Sequence, residues 1–174
     1  MPFVLQVRFG GKDAQVPDVN IVTCIGDTWT MWNAERMTLL FVGPVLSDGI
    51  SAMAHATSPD SLLVAAGSSV YRYVRGHEVA KYNTSVADEG IEGHVLSSML
   101  VFGDYVCSLA AHGSTMYVWS LLTTELLQAI ALPSSSQASC FVHPATYLNK
   151  VVLGMTDGSL QLWNVRTASL IHTF

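Results

Sequence analysis

Residues 159–164 read Ser-Leu-Gln-Leu-Trp-Asn, a short alternating segment with the aromatic Trp163 near its end. Alternation of apolar and polar residues with a period of two predicts a half-buried β-strand. Residues 28–33, 69–73 and 114–120 are similar segments, with Trp32, Tyr73 and Trp119 at the same place. The four aromatics follow one another at intervals of 41, 46 and 44 residues. The chain is therefore built from a repeat.

The neighbours of each aromatic recur as well. An apolar strand with a small-residue turn precedes it, another apolar strand follows after a short polar turn, and a further strand opens the unit. Four strands per unit and a period in the forties are typical of WD-repeat blades. The sequence predicts an all-β, WD40-type β-propeller with about four blades of an incomplete, seven-bladed ring. Residues 1–174 form this partial propeller, with blades at approximately 1–42, 49–83, 93–132 and 136–174.

Several residues are predicted to shape the blades. The glycines Gly67, Gly113 and Gly158 supply the positive φ that tight hairpin turns need, and Asp157-Gly158 is the strongest hairpin signal. His94 stands where a blade should begin. In well-formed WD repeats a histidine, a strand hydroxyl, a turn aspartate and the tryptophan form one buried hydrogen-bonded set. Asp157 with Trp163 is the best partial match to that set.

Residues 121–132 fit two structures. Their apolar residues have helical spacing, and taken alone the segment predicts a helix as readily as a strand. Its position in the repeat favours a strand, a turn and a strand.

Charge is scarce, with 12% charged and 50% hydrophobic residues. No apolar run reaches the ~18 residues of a membrane-spanning helix, so we expect sheets covered on both faces and no membrane partner. The net charge of −5 disfavours direct RNA binding, which needs a basic face. Arg72, Arg75 and Lys81 form the nearest approach to a basic cluster, and we expect them on a solvated edge.

The cysteines, histidines and serines of the chain are expected to have structural roles. Cys24, Cys107 and Cys140 lie in apolar strand-like runs, where cysteine is expected to be buried. The six histidines are dispersed, without a close metal-ligand spacing, and no G-x-S-x-G nucleophile motif occurs. The sequence predicts no enzyme, no catalytic or metal-binding residues, no cofactor and no small-molecule substrate.

Residues 143–150 carry a pattern that blade geometry does not require. Its members are His143, Pro144, Thr146, Tyr147, Leu148, Asn149 and Lys150. This segment resembles the tandem-propeller "U three protein twenty-one" family, a member of the UtpB subcomplex of the small-subunit processome. Residues 22–26 and 37–42 look like the first blade of that family, and Pro2-Phe3 stands where its first propeller begins.

The resemblance implies the N-terminal part of the first of two propellers, in a protein much longer than this chain. It implies a non-catalytic scaffold in the nucleus and nucleolus, acting in ribosome biogenesis on the small-subunit ribosomal RNA precursor. The partners it implies are other propeller proteins of a pre-ribosomal complex, with indirect RNA contact. Two alternatives stay open: a WD-repeat adaptor of another complex, such as a ubiquitin-ligase substrate receptor, and a propeller-fold hydrolase. The hydrolase would need clustered acids, arginines or metal ligands, which the sequence does not offer.

Overall fold

The computed structural model describes residues 3–9, 18–57, 60–84, 94–133, 135–145 and 148–174. Within them the secondary structure consists of β-strands. The strands are β1 (Phe3–Phe9), β2 (Asp18–Ile25), β3 (Thr28–Asn33), β4 (Thr38–Val42), β5 (Ile50–Thr57), β6 (Asp60–Ala66), β7 (Ser69–Val74), β8 (His77–Asn83), β9 (Leu96–Phe102), β10 (Tyr105–Ala110), β11 (Thr115–Ser120), β12 (Leu126–Ala131), β13 (Ala138–Val142), β14 (Lys150–Met155), β15 (Leu160–Asn164) and β16 (Ser169–Thr173).

These strands form four antiparallel sheets of four, each in simple chain order. We number the sheets as blades 1 (β1–β4), 2 (β5–β8), 3 (β9–β12) and 4 (β13–β16). The first strands of successive blades lie side by side, β1 next to β5, β5 next to β9, and β9 next to β13. The predicted all-β propeller architecture is confirmed.

Residues 121–132 fold as a turn followed by β12. The prediction against a helix is confirmed, but the segment contains only the turn and the second strand, because the first strand, β11, ends at Ser120. Pairing of β11 with β12 satisfies backbone groups that a helix would have satisfied internally.

A β-bulge lies at the repeating aromatic of every blade. The register between third and fourth strands shifts between Met31 and Trp32, Arg72 and Tyr73, Val118 and Trp119, and Leu162 and Trp163. A bulge re-aims the side chain at which it occurs. The aromatic is therefore set by the same backbone device in each blade.

The core lies between the blades, in three clusters. Each cluster combines one face of a blade with the opposite face of the next. Tyr73 of blade 2 packs against blade 1 in the first cluster, Trp119 against blade 2 in the second, and Trp163 against blade 3 in the third. Each of these aromatics thus faces the preceding blade and is less than a tenth exposed.

Blades 2 and 3, which have a neighbouring blade on each side, are more deeply buried than blade 4. Their burial explains the low content of charged residues. The middle strands β6 and β10 of blades 2 and 3 are buried at almost every position, as expected for sheets covered on both faces. In blade 4, β14 alternates between buried and half-buried residues. Blade 4 therefore has one face without a neighbouring blade among the described residues.

This open face corrects one prediction. Cys24 and Cys107 are buried as expected, but Cys140 is exposed. Cys140 pairs with Gly154 across β13 and β14, on the side opposite the buried Val151 and Leu153. The expected burial of Cys140 is wrong because its side of blade 4 packs against no blade in the described structure.

The turns between third and fourth strands carry a repeated backbone feature. Met37, Thr124 and Ala168 have positive φ at equivalent positions, with Thr124 at 66°, and Arg75 has positive φ earlier in the shorter turn of blade 2. A left-handed conformation is costly for residues other than glycine, and most of all for a β-branched one.

We expect Thr124→Gly to stabilise the chain by up to about 1 kcal/mol, because relief of the left-handed strain exceeds the added freedom of the unfolded glycine. Thr123→Gly, one residue earlier, is the matched control and should destabilise it, since Thr123 has no positive φ to relieve and its hydroxyl donates to Glu125. Urea unfolding of both variants measures the effects. Equal losses for the two would contradict the strain.

Candidate functional site

The interface between two successive blades is called a joint below. The joint between blades 2 and 3 contains a buried polar site that the sequence did not predict. Arg72 is only 8% exposed. Its Nε donates to the Ser61 hydroxyl at 3.0 Å, and its Nη1 donates to the Leu121 carbonyl at 2.9 Å. The Tyr82 hydroxyl donates to the same carbonyl at 3.0 Å. Two side chains of blade 2 thereby hold the turn that follows β11 of blade 3.

The prediction that Arg72, Arg75 and Lys81 lie on a solvated edge is therefore only partly right. Arg75 and Lys81 are exposed, whereas Arg72 lies in the joint. Lys81 Nζ lies 5.0 Å from the centre of the Tyr71 ring. Arg72 differs because β7 places it opposite Ala80, on the blade face that meets blade 3.

We expect Arg72→Met to lower the free energy of unfolding by about 2–3 kcal/mol, since a buried carbonyl and hydroxyl lose their charged donor. Arg75→Met, at an exposed arginine three residues away, should change it by no more than about 0.5 kcal/mol. Urea unfolding followed by circular dichroism checks both. A loss for Arg72→Met no larger than for Arg75→Met would show that the joint contributes nothing.

Burial also changes the acidity of side chains in the joints. It raises the pKa of Tyr73 from 10.0 to about 12, helped by the nearby charges of Glu78 and Tyr71. Burial likewise raises the pKa of Tyr117, and that of Tyr82 although Arg72 acts in the opposite direction. The buried Cys107 thiol has its pKa raised well above the usual range, so its reactive thiolate is disfavoured.

These shifts predict the response of the fold to alkali. Above pH 10 the unfolded chain loses tyrosine protons that the folded chain keeps, so stability is fully present below pH 10 and is lost as the pH rises through about 12. Urea midpoints measured across this range should fall, and Tyr73→Phe should make the fall shallower. An unchanged slope in Tyr73→Phe would contradict the role of Tyr73.

Asp157 and Trp163, the best partial match to the hydrogen-bonded set of well-formed WD repeats, are not joined by a hydrogen bond. Asp157 is exposed, and its Oδ1 accepts from the backbone and hydroxyl of Ser159, which lowers the pKa of Asp157. The Trp163 indole donates instead to Gln161 Oε1 at 3.0 Å. The aspartate shapes its own turn, and Gln161, two residues before Trp163 on β15, accepts from the indole, so the motif is only partial in blade 4 as well.

Two of the other repeating aromatics, Trp32 and Trp119, also donate hydrogen bonds. Trp32 donates to Thr30 Oγ1 at 2.9 Å, and Thr30 lies 2.8 Å from the Thr23 hydroxyl. Trp119 donates across the joint to the Asn83 carbonyl at 3.2 Å. The blades are thus joined by apolar packing together with individual hydrogen bonds.

His94 connects the start of blade 3 to its third strand. His94 Nδ1 lies 2.6 Å from the Tyr117 hydroxyl, and the Tyr117 ring stacks on Trp119 with centroids 5.6 Å apart. Gly67, Gly113 and Gly158 all have positive φ in turns between second and third strands. These placements give each residue a structural position in the blade.

The family-like segment forms the link between β13 and β14, but Thr146 and Tyr147 lie outside the described residues, as does Pro2. His143 stacks on Phe102 of blade 3 with centroids 4.0 Å apart, and its Nδ1 lies 3.0 Å from the Lys150 carbonyl. Asn149 accepts from the Val165 amide through its backbone carbonyl. Leu148 is 91% exposed at the tip. The segment therefore joins two blades through His143 and presents Leu148 to solvent; Pro144 is half-buried.

His, Cys, Asp and Glu side chains are dispersed over the described part of the chain. No group of three or more His, Cys, Asp or Glu side chains in that part of the chain is placed to hold a metal ion. No helix there is long and apolar enough to cross a membrane. His55 and Asp60 form an ion pair at 2.6 Å that closes the hairpin between β5 and β6 when the histidine is charged.

Four-stranded meanders that pack face to face, with an aromatic between successive sheets, define part of a WD-type β-propeller. The chain belongs to the family described as the WDR36/Utp21 first beta-propeller, whose model matches residues 21–174. It is 34% identical over 160 residues to the U3 small nucleolar RNA-associated protein 21 homolog of Schizosaccharomyces pombe. It is 31% identical over 156 residues to human WD repeat-containing protein 36.

Each alignment covers 88% of this chain, but only 17% and 16% of those relatives. The chain thus spans about a sixth of the length of the curated relatives it matches. Among solved structures, the Cps50 (Swd1) beta-propeller domain of Myceliophteria thermophila is 13% identical, with a TM-score of 0.73. That match covers 89% of this chain and 51% of the other. The designed protein Ika8 matches with a TM-score of 0.69 at 18% identity, over 89% of this chain and 46% of that one. These two likenesses concern the fold alone.

Proposed function

We propose that this chain is a non-catalytic protein-interaction scaffold in ribosome biogenesis, acting in processing of the small-subunit ribosomal RNA precursor within the small-subunit processome. The observation that carries the proposal is the family match over residues 21–174. The Schizosaccharomyces pombe relative bears the name of the U3 small nucleolar RNA. The side chains described above also support a non-catalytic role, because Arg72, Tyr82 and Trp119 hold one blade to the next.

The proposal extends to location and partners. The protein acts in the nucleolus, and its partners are other propeller proteins of the pre-ribosomal particle. RNA contact is indirect, because the net charge is −5 and phosphate binding needs a surplus of cations. The four blades are part of a seven-bladed ring, and loops on a rigid frame of this kind are common binding surfaces.

Isolation of the tagged full-length protein from cells tests this function. We expect pre-ribosomal RNA, U3 small nucleolar RNA and propeller proteins to be recovered together, and depletion to raise the level of uncleaved small-subunit precursor. A Gly113→Ala form, which disturbs the joint between blades 3 and 4, should recover less of each than wild type. Recovery of a ubiquitin ligase or a vesicle coat without pre-ribosomal RNA would overturn the proposal and favour a different WD-repeat adaptor.

A further inference from the structure

We draw no further inference here: the strongest candidate, the set of exposed aliphatic side chains Val79, Leu122 and Leu127 on β8, in the turn before β12 and on β12, is flanked by exposed charges of both signs, and nothing in the structure shows what covers it.

Discussion

Trp119→Ala is expected to lower the free energy of unfolding of the 174-residue chain by about 3–5 kcal/mol, the range for removing a buried tryptophan. Trp119 is 1% exposed and packs with Tyr82 of the preceding blade at a centroid distance of 6.3 Å. Its removal leaves a cavity between blades 2 and 3 and frees the Asn83 carbonyl that its indole binds. Urea unfolding followed by far-ultraviolet circular dichroism measures the loss.

The chain offers a matched control at the equivalent position of blade 1. Trp32 lies at the same β-bulge and has the same indole donor, but its side of blade 1 faces no preceding blade in the described residues, and it is half-buried. Trp32→Ala should therefore cost no more than about half as much as Trp119→Ala, in proportion to the apolar area it buries. Equal losses would show that packing against a preceding blade is not what holds Trp119.

Gly113→Ala is expected to destabilise the chain by about 3–5 kcal/mol, through two separate effects. Gly113 has a φ of 60°, which costs alanine about 1–2 kcal/mol. The new Cβ would lie 2.7 Å from the Ala138 backbone nitrogen and closer still to its carbonyl oxygen, so the start of blade 4 would have to move, at a further cost of about 1–3 kcal/mol. The shift would disturb the bond from the Ala138 amide to the Gly113 carbonyl.

Gly103→Ala separates the two effects. Gly103 has a φ of 55°, but a Cβ there would meet no atom within 4 Å. It should show the backbone cost alone, about 1–2 kcal/mol. Thermal and urea unfolding of both variants gives the difference. If Gly103→Ala were as damaging as Gly113→Ala, close approach of blades 3 and 4 would not explain the requirement for glycine.

The sequence predicts the blades because the repeat carries more information than any one segment. Residues 121–132 show why: their own periodicity is compatible with a helix, and only their distance from Trp119 indicates β12. The same regularity locates the four repeating aromatics. The β-bulge that orients each of them has no sequence motif of its own. A common position in the repeat was the only available signal for it.

The contacts across joints could not be predicted, because their partners are far apart in the chain. Arg72 binds the Leu121 carbonyl, 49 residues away, and a backbone acceptor has no sequence signature. Alternation along β7 could have suggested that Arg72 and Arg75 differ, but it does not identify the covered face. The motif points to Asp157 as the best partial match beside Trp163, whereas the indole donates to the nearby Gln161. The exposure of Cys140 could not be predicted either. It depends on whether another blade packs against that face of blade 4, and the apolar sequence of β13 does not reveal this.

The order of burial among the four tryptophans tests most directly the claim that each repeating aromatic is held by the preceding blade. Fluorine NMR of the chain labelled with 5-fluorotryptophan gives one resonance each for Trp29, Trp32, Trp119 and Trp163, assigned by single Trp→Phe variants. Trp29 and Trp119 are at most 1% exposed and Trp163 is 6% exposed, so a soluble paramagnetic reagent should broaden the Trp32 resonance first. Broadening of Trp119 or Trp163 at the same reagent concentration as Trp32 would contradict the claim.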